Sequence, residues 1–209
     1  MRSKVCCLLV VLGLAAAAAP PAVAGILLIG NLDGNDGTQS ADLGPLRNKG
    51  LGFSLPAGPD YPLDLVTLRL DVLSLPVDPI VQIWSDGTAQ PAAPLITLSD
   101  PTISGIGIAN YSFAPMSSFV LQASTSYWLV VSGTDAAGAF DWKASSPGVT
   151  PTGIATHAGA LFDTNGVPPT STSPILNSYE ISVTAVPEPA SLALLGLGLL
   201  GLAGLRRRP

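Results

Sequence analysis

The stretch Val66-Thr67-Leu68-Arg69-Leu70-Asp71-Val72 decides the fold. Val66, Leu68, Leu70 and Val72 alternate with Thr67, Arg69 and Asp71, which gives an extended strand one apolar side and one hydrated side. The same period of two returns near the far end, where Tyr179, Ile181 and Val183 alternate with Glu180 and Ser182. Shorter apolar runs lie at 26–29, 51–55, 80–84, 95–98, 110–113, 119–121, 127–131 and 139–143, and residues 153–162 read as either strand or loop. No stretch sustains a helical period. Turn chemistry separates the runs: Ser85-Asp86-Gly87-Thr88 carries an Asp-Gly turn, and Gly133-Thr134-Asp135-Ala136-Ala137-Gly138 reads as a hairpin loop. Pro168-Pro169-Thr170-Ser171-Thr172-Ser173-Pro174 reads as an exposed loop inside the domain. Short strands at regular spacing predict an all-β, two-sheet antiparallel sandwich of jelly-roll type over residues 25–186.

Composition narrows the function. The 209 residues include 22 Gly and 20 Pro, and only 11% are charged, against about 25% in an ordinary soluble domain. With 9 Lys+Arg against 14 Asp+Glu, the chain is no basic nucleic-acid binder. Residues 25–186 hold only Arg47, Lys49, Arg69 and Lys143 against 13 acids, a formal charge of −9. Such a surface repels anionic polymers unless cations bridge them. Cys6 and Cys7 are the only cysteines. Both precede residue 25, which leaves the domain no disulfide, thiol nucleophile or cysteine metal site.

The two ends read as addresses. Arg2 and Lys4 precede an apolar run over 5–19, and Ala22-Val23-Ala24 supplies small residues for signal peptidase. Residues 1–24 are therefore expected to be a helical signal peptide cut after Ala24. At the other end, Val186-Pro187-Glu188-Pro189 precedes an apolar Leu/Gly stretch over 190–205 and then Arg206-Arg207-Arg208. Proline on either side of Glu188 forbids regular pairing and leaves an extended, accessible segment. The apolar stretch as a helix spans about 24 Å, a thin crossing of a membrane core about 30 Å thick. The arginines stop it on the cytoplasmic side.

This tail, assigned to residues 187–209 with Val186 at its edge, resembles the PEP-CTERM sorting signal of exopolysaccharide-producing Gram-negative bacteria. The resemblance implies recognition by an exosortase, a transient inner-membrane anchor through the C-terminal transmembrane helix, and cleavage near Pro-Glu-Pro. The final place is the cell surface or the extracellular matrix. The middle resembles the R-type "choice-of-anchor" surface domains through Leu65-Val66-Thr67-Leu68-Arg69-Leu70, Val81-Gln82-Ile83-Trp84-Ser85-Asp86 and Ser126-Tyr127-Trp128-Leu129-Val130-Val131-Ser132-Gly133. Those motifs are strand patterns and bring no catalytic residues with them.

Candidate chemistry is sparse. His157 is the single histidine, with no acid beside it and no Gly-x-Ser-x-Gly elbow elsewhere. The acids lie mostly beside Gly or Pro or on polar strand sides, where turns and solvation account for them. Asn31-Leu32-Asp33-Gly34-Asn35-Asp36-Gly37 is the best calcium candidate, through Asp33, Asn35 and Asp36, but it misses the calcium-loop order and lacks a following Glu. Trp84 and Trp128 read as core, whereas Trp142 is the candidate for stacking on a sugar. No cofactor is expected. The sequence thus reads as an exported, non-enzymatic surface or matrix protein. A carbohydrate-binding module retaining exopolysaccharide is the first alternative and a secreted hydrolase the second.

Overall fold

The computed structural model describes residues 25–35, 37, 39–134, 138–166 and 168–184. Among them there is no helix, and hence none long and apolar enough to cross a membrane. The expected signal helix and transmembrane helix both lie outside the described residues.

Fourteen strands form the described chain. They are β1 (Gly25–Gly30), β2 (Gln39–Leu43), β3 (Asn48–Ser54), β4 (Tyr61–Val72), β5 (Pro79–Asp86), β6 (Pro91–Ser99) and β7 (Gly107–Pro115). The rest are β8 (Val120–Leu121), β9 (Ser126–Gly133), β10 (Phe140–Ala144), β11 (Thr152–Gly153), β12 (Thr156–Asp163), β13 (Ser171–Thr172) and β14 (Tyr179–Thr184). Their hydrogen bonds join them into one open antiparallel sheet in the order β11-β1-β14-β4-β7-β6-β5-β9-β3-β12-β13, with β10 linking β2 to β4 and β8 beside β4.

The sheet has two arms. In the first, β4 carries the alternation of Val66 to Val72 and pairs with β7 and β14 along most of its length. In the second, β9 lies between β3 and β5. A narrow link joins the arms, Leu98 opposite Pro115 and Ser99 opposite Ala114 on β6 and β7. One buried cluster draws on both. Val66, Leu68, Ile181 and Val183 come from the first arm, and Leu51, Phe53, Val81, Ile83, Leu129 and Val131 from the second. Burial of this kind supplies about 25 cal/mol per Å² of apolar surface. With the cysteines confined to residues 6 and 7, no disulfide within the domain supplements it.

A turn does follow Asp86 and closes the β5–β6 hairpin, but it is centred on Thr88 and Ala89, both with positive φ, and not on Asp-Gly. Gly87 N–H donates to the Gln90 carbonyl, and the Asp86 carboxylate accepts from the Thr88 and Ala89 amides. Residues 133–138 are not a hairpin: β9 pairs with β3 and β5, whereas β10 pairs with β2 and β4, so this loop carries the chain from one arm to the other. Gly there ended two apolar runs, but neighbouring runs need not pair. The Pro-rich stretch lies inside the domain, yet it is only partly exposed. Ser171 and Thr172 pair with β12, and Pro169 is buried.

Candidate functional site

On the second arm, the side of β5 and β9 away from the shared cluster is not a hydrated face. In Ile80-Val81-Gln82-Ile83-Trp84, Val81 and Ile83 point into the shared cluster, and Ile80, Gln82 and Trp84 therefore point the other way. Trp128 and Val130 of β9 share that outer side with Leu161 of β12, and the partly buried Trp84 packs against them. Trp84 and Trp128 stand opposite each other in the β5–β9 register.

The Trp128 ring fits because β3 offers it glycine. A Cβ added at Gly52 would lie 3.0–3.2 Å from three atoms of the indole, and one at Gly50 would lie 3.3 Å from both the indole and Pro169. Trp128 Nε1 donates to Asp86 Oδ1 at 2.7 Å, so the hairpin turn also fixes the ring. Pro169 covers part of this side, whereas Lys49 alternates with Gly50 and so points to the opposite side with Leu51 and Phe53, where it ties down the chain that follows β13. Lys49 Nζ donates to Ser173 Oγ and, at 2.8 Å, to the Ile175 carbonyl. Lys49 is 1% exposed, and burial lowers its pKa from 10.5 to about 8.

Beside this covered part runs an open groove of about 490 Å³. Its floor is Gln82 and Trp84 of β5 with Val130 and Ser132 of β9, and Asn48 and Thr134 lie at its margins. Pro45 lines it together with Gly166 and Pro168. These segments lie side by side as one wall, since Gly166 N–H donates to the Leu46 carbonyl at 3.0 Å. Trp84 is also held: its Nε1 donates to Gln82 Oε1 at 3.0 Å, and Gln82 Nε2 donates to Thr97 Oγ1 at 2.8 Å. Among the described residues, no Asp, Glu, Lys, Arg or His lines the groove.

The sequence candidates fall elsewhere. Trp142 is fully buried, which removes it as a sugar-stacking residue. Strand β10 lies between β2 and β4, so Phe140 and Trp142 join the shared cluster, and Trp142 Nε1 donates to the Ser178 carbonyl at 2.9 Å. The calcium candidates are not brought together as a site. Asp33 is exposed, Asp36 lies outside the described residues, and the Asn35 side chain turns inward, its Nδ2 donating to the Leu176 carbonyl at 3.1 Å. The Asn35 carbonyl accepts from Arg69 NH1 at 2.9 Å and from Ser178 Oγ at 2.7 Å. No cluster of three metal-ligating side chains occurs among the described residues.

His157 sits at a bulge between β12 and β3. Burial lowers its pKa, a hydrogen bond with the Gly52 backbone raises it in part, and its Nδ1 is buried without a partner. That geometry lacks the carboxylate that would orient a general base. Trp84, expected in the core, is only partly buried: it packs against the outer cluster and also lines the groove. The signal was Gln82, which shares its side of β5: an amide two residues from a Trp marks that side as at least partly wet.

The sorting residues Val186, Pro187, Glu188, Pro189, Arg206, Arg207 and Arg208 lie outside the described residues, directly after β14 ends at Thr184. No curated protein matches the chain. Residues 185–208 match the PEP-CTERM protein-sorting motif, which implies an exported protein sorted to the cell surface, with exosortase as the processing partner.

Proposed function

We propose that this chain delivers a non-enzymatic β domain to the outside of a Gram-negative cell, where the domain acts as a structural component in or beside the extracellular polysaccharide matrix. Signal peptidase cuts after Ala24. The C-terminal helix then holds the protein in the inner membrane with Arg206, Arg207 and Arg208 as the stop, until exosortase cuts near Glu188. The likeness to choice-of-anchor domains supports a cargo role. The shared apolar cluster supports a sandwich in which the two arms stack face to face.

The observation that carries this reading is the position of the motif. It begins at residue 185, one residue beyond the last strand. Cleavage there would release every strand intact. In the native host, Glu188→Ala, or Pro187→Ala with Pro189→Ala, is expected to leave a heavier species in the membrane fraction, seen by intact mass and fractionation. A variant with wild-type mass and distribution would sink the sorting assignment.

A further inference from the structure

We infer that the groove over β5 and β9 is a binding site for a neutral glycan, with the Trp84 indole as its stacking platform. This deepens the proposed role, because it presumes a domain displayed outside the cell. The inference stands on the chemistry of the groove. A sugar ring presents an apolar C–H face and a rim of hydroxyls, so it needs an aromatic plane flanked by uncharged donors and acceptors. Trp84 supplies the plane. Gln82, Ser132, Asn48 and Thr134 line it with amides and hydroxyls; Gln82 already bonds Trp84 and Thr97, and Thr134 Oγ1 donates to Asp78 Oδ2 at 2.6 Å, so these two offer a ligand only their remaining lone pairs and the second Gln82 N–H.

The platform is set before any ligand arrives. The Trp84–Gln82–Thr97 hydrogen bonds fix the indole, and the Gly166–Leu46 bond fixes the wall beside it, so little ordering entropy is lost on binding. Trp84 N–H is already engaged, which leaves the ring face as the part available to a ligand. The volume of about 490 Å³ lies within the range of small-molecule sites.

Charge selects among glycans. Among the described residues no ionisable side chain lines the groove, the Asp78 carboxylate stands behind Thr134, and residues 25–186 carry a formal charge of −9. A uronate or sulfated polymer would meet repulsion and find no cation in the groove; a neutral one meets neither difficulty. A proline-rich peptide also docks on aromatic grooves, but the four amide and hydroxyl side chains favour a ligand with many hydroxyls.

The test uses the full chain in a detergent without a sugar headgroup. Calorimetry and Trp fluorescence follow titration with hexasaccharides of β-1,4-glucose, β-1,4-mannose and α-1,4-glucose, with a hexagalacturonate and with decaproline. At least one neutral hexasaccharide is expected to bind in the millimolar range or tighter, and Trp84→Ala to weaken it about tenfold or more. Trp84→Phe should keep most of the affinity. Ser132→Phe, which fills the groove without removing a core side chain, should lose it as Trp84→Ala does. No neutral binding, binding only to hexagalacturonate or decaproline, or neutral binding indifferent to both blocking variants would each overturn the site. Sorting is read separately from mass and fractionation, so failure of this site and failure of the display reading are distinguishable.

Discussion

The outward sides of the two arms solve the same problem in opposite ways. On the first arm, Thr67 and Arg69 of β4 face Ser112 and Asn110 of β7, and the Thr67–Ser112 and Arg69–Asn110 hydrogen bonds are exposed. Water satisfies that side. On the second arm, Trp128, Val130 and Leu161 form an apolar layer of their own, and the chain folds its Pro-rich loop back over part of it. A strand buried on both sides needs a lid, and the lid needs an anchor. Here the cover is Pro169; the chain then adds β13 to the edge of β12, and Lys49 anchors residues 173–175 on the other side of the sheet. The uncovered remainder is the groove.

The sharpest way to break this comparison is Trp128→Ala. Losing a buried indole should cost about 3–5 kcal/mol in chemical denaturation, and a loss near zero would mean that the outer layer is decoration. The next is Lys49. Its folded pKa of about 8 lies below the ordinary 10.5, so between those values the unfolded chain binds more protons. Stability of the wild type should therefore rise from about pH 8 toward pH 10, by up to about 3 kcal/mol. Lys49→Met should abolish that rise, and it is the difference between the two proteins over this window that reports on the anchor. If their pH profiles ran parallel, Lys49 would not be held in a dry site. At the small end, Thr67→Ala on the hydrated arm should shift stability by no more than about 0.5 kcal/mol. A larger loss there would erase the contrast between the arms.

The same contrast explains what was legible beforehand. Residues 66–72 announced β4 because one side is wet and one dry, and β14 is plain for the same reason. Residues 127–131 were recognisable as a strand, but an unbroken apolar run says only that both sides are covered, not by what. Nothing local in Gly50 or Gly52 foretells an indole lying across them. Strand β2, Gln-Ser-Ala-Asp-Leu, escaped notice because only Ala41 and Leu43 are buried and its pairing with β10 comes from a distant part of the chain. Trp142, the sugar-stacking candidate, sits on a strand that is covered, and its polar neighbour does not mark a wet surface. In fact Asp141 accepts from Ser40 Oγ at 2.7 Å across the β2–β10 pair. The sorting motif, by contrast, was fully legible, because it is read as a linear segment and not assembled by folding.

Strand β14 lies between β1 and β4, with Thr184 opposite Gly25. The first strand of the domain therefore has no neighbour on that side until the last one arrives. During export, the first arm stays incomplete until residue 184 has emerged, and the sorting motif begins at the very next position. Completion of the fold and presentation of the tail thus become nearly simultaneous, so the order of residues along the chain acts as a clock. Because Gly25 and Thr184 stand opposite each other on neighbouring strands, the chain enters and leaves the sheet at one place.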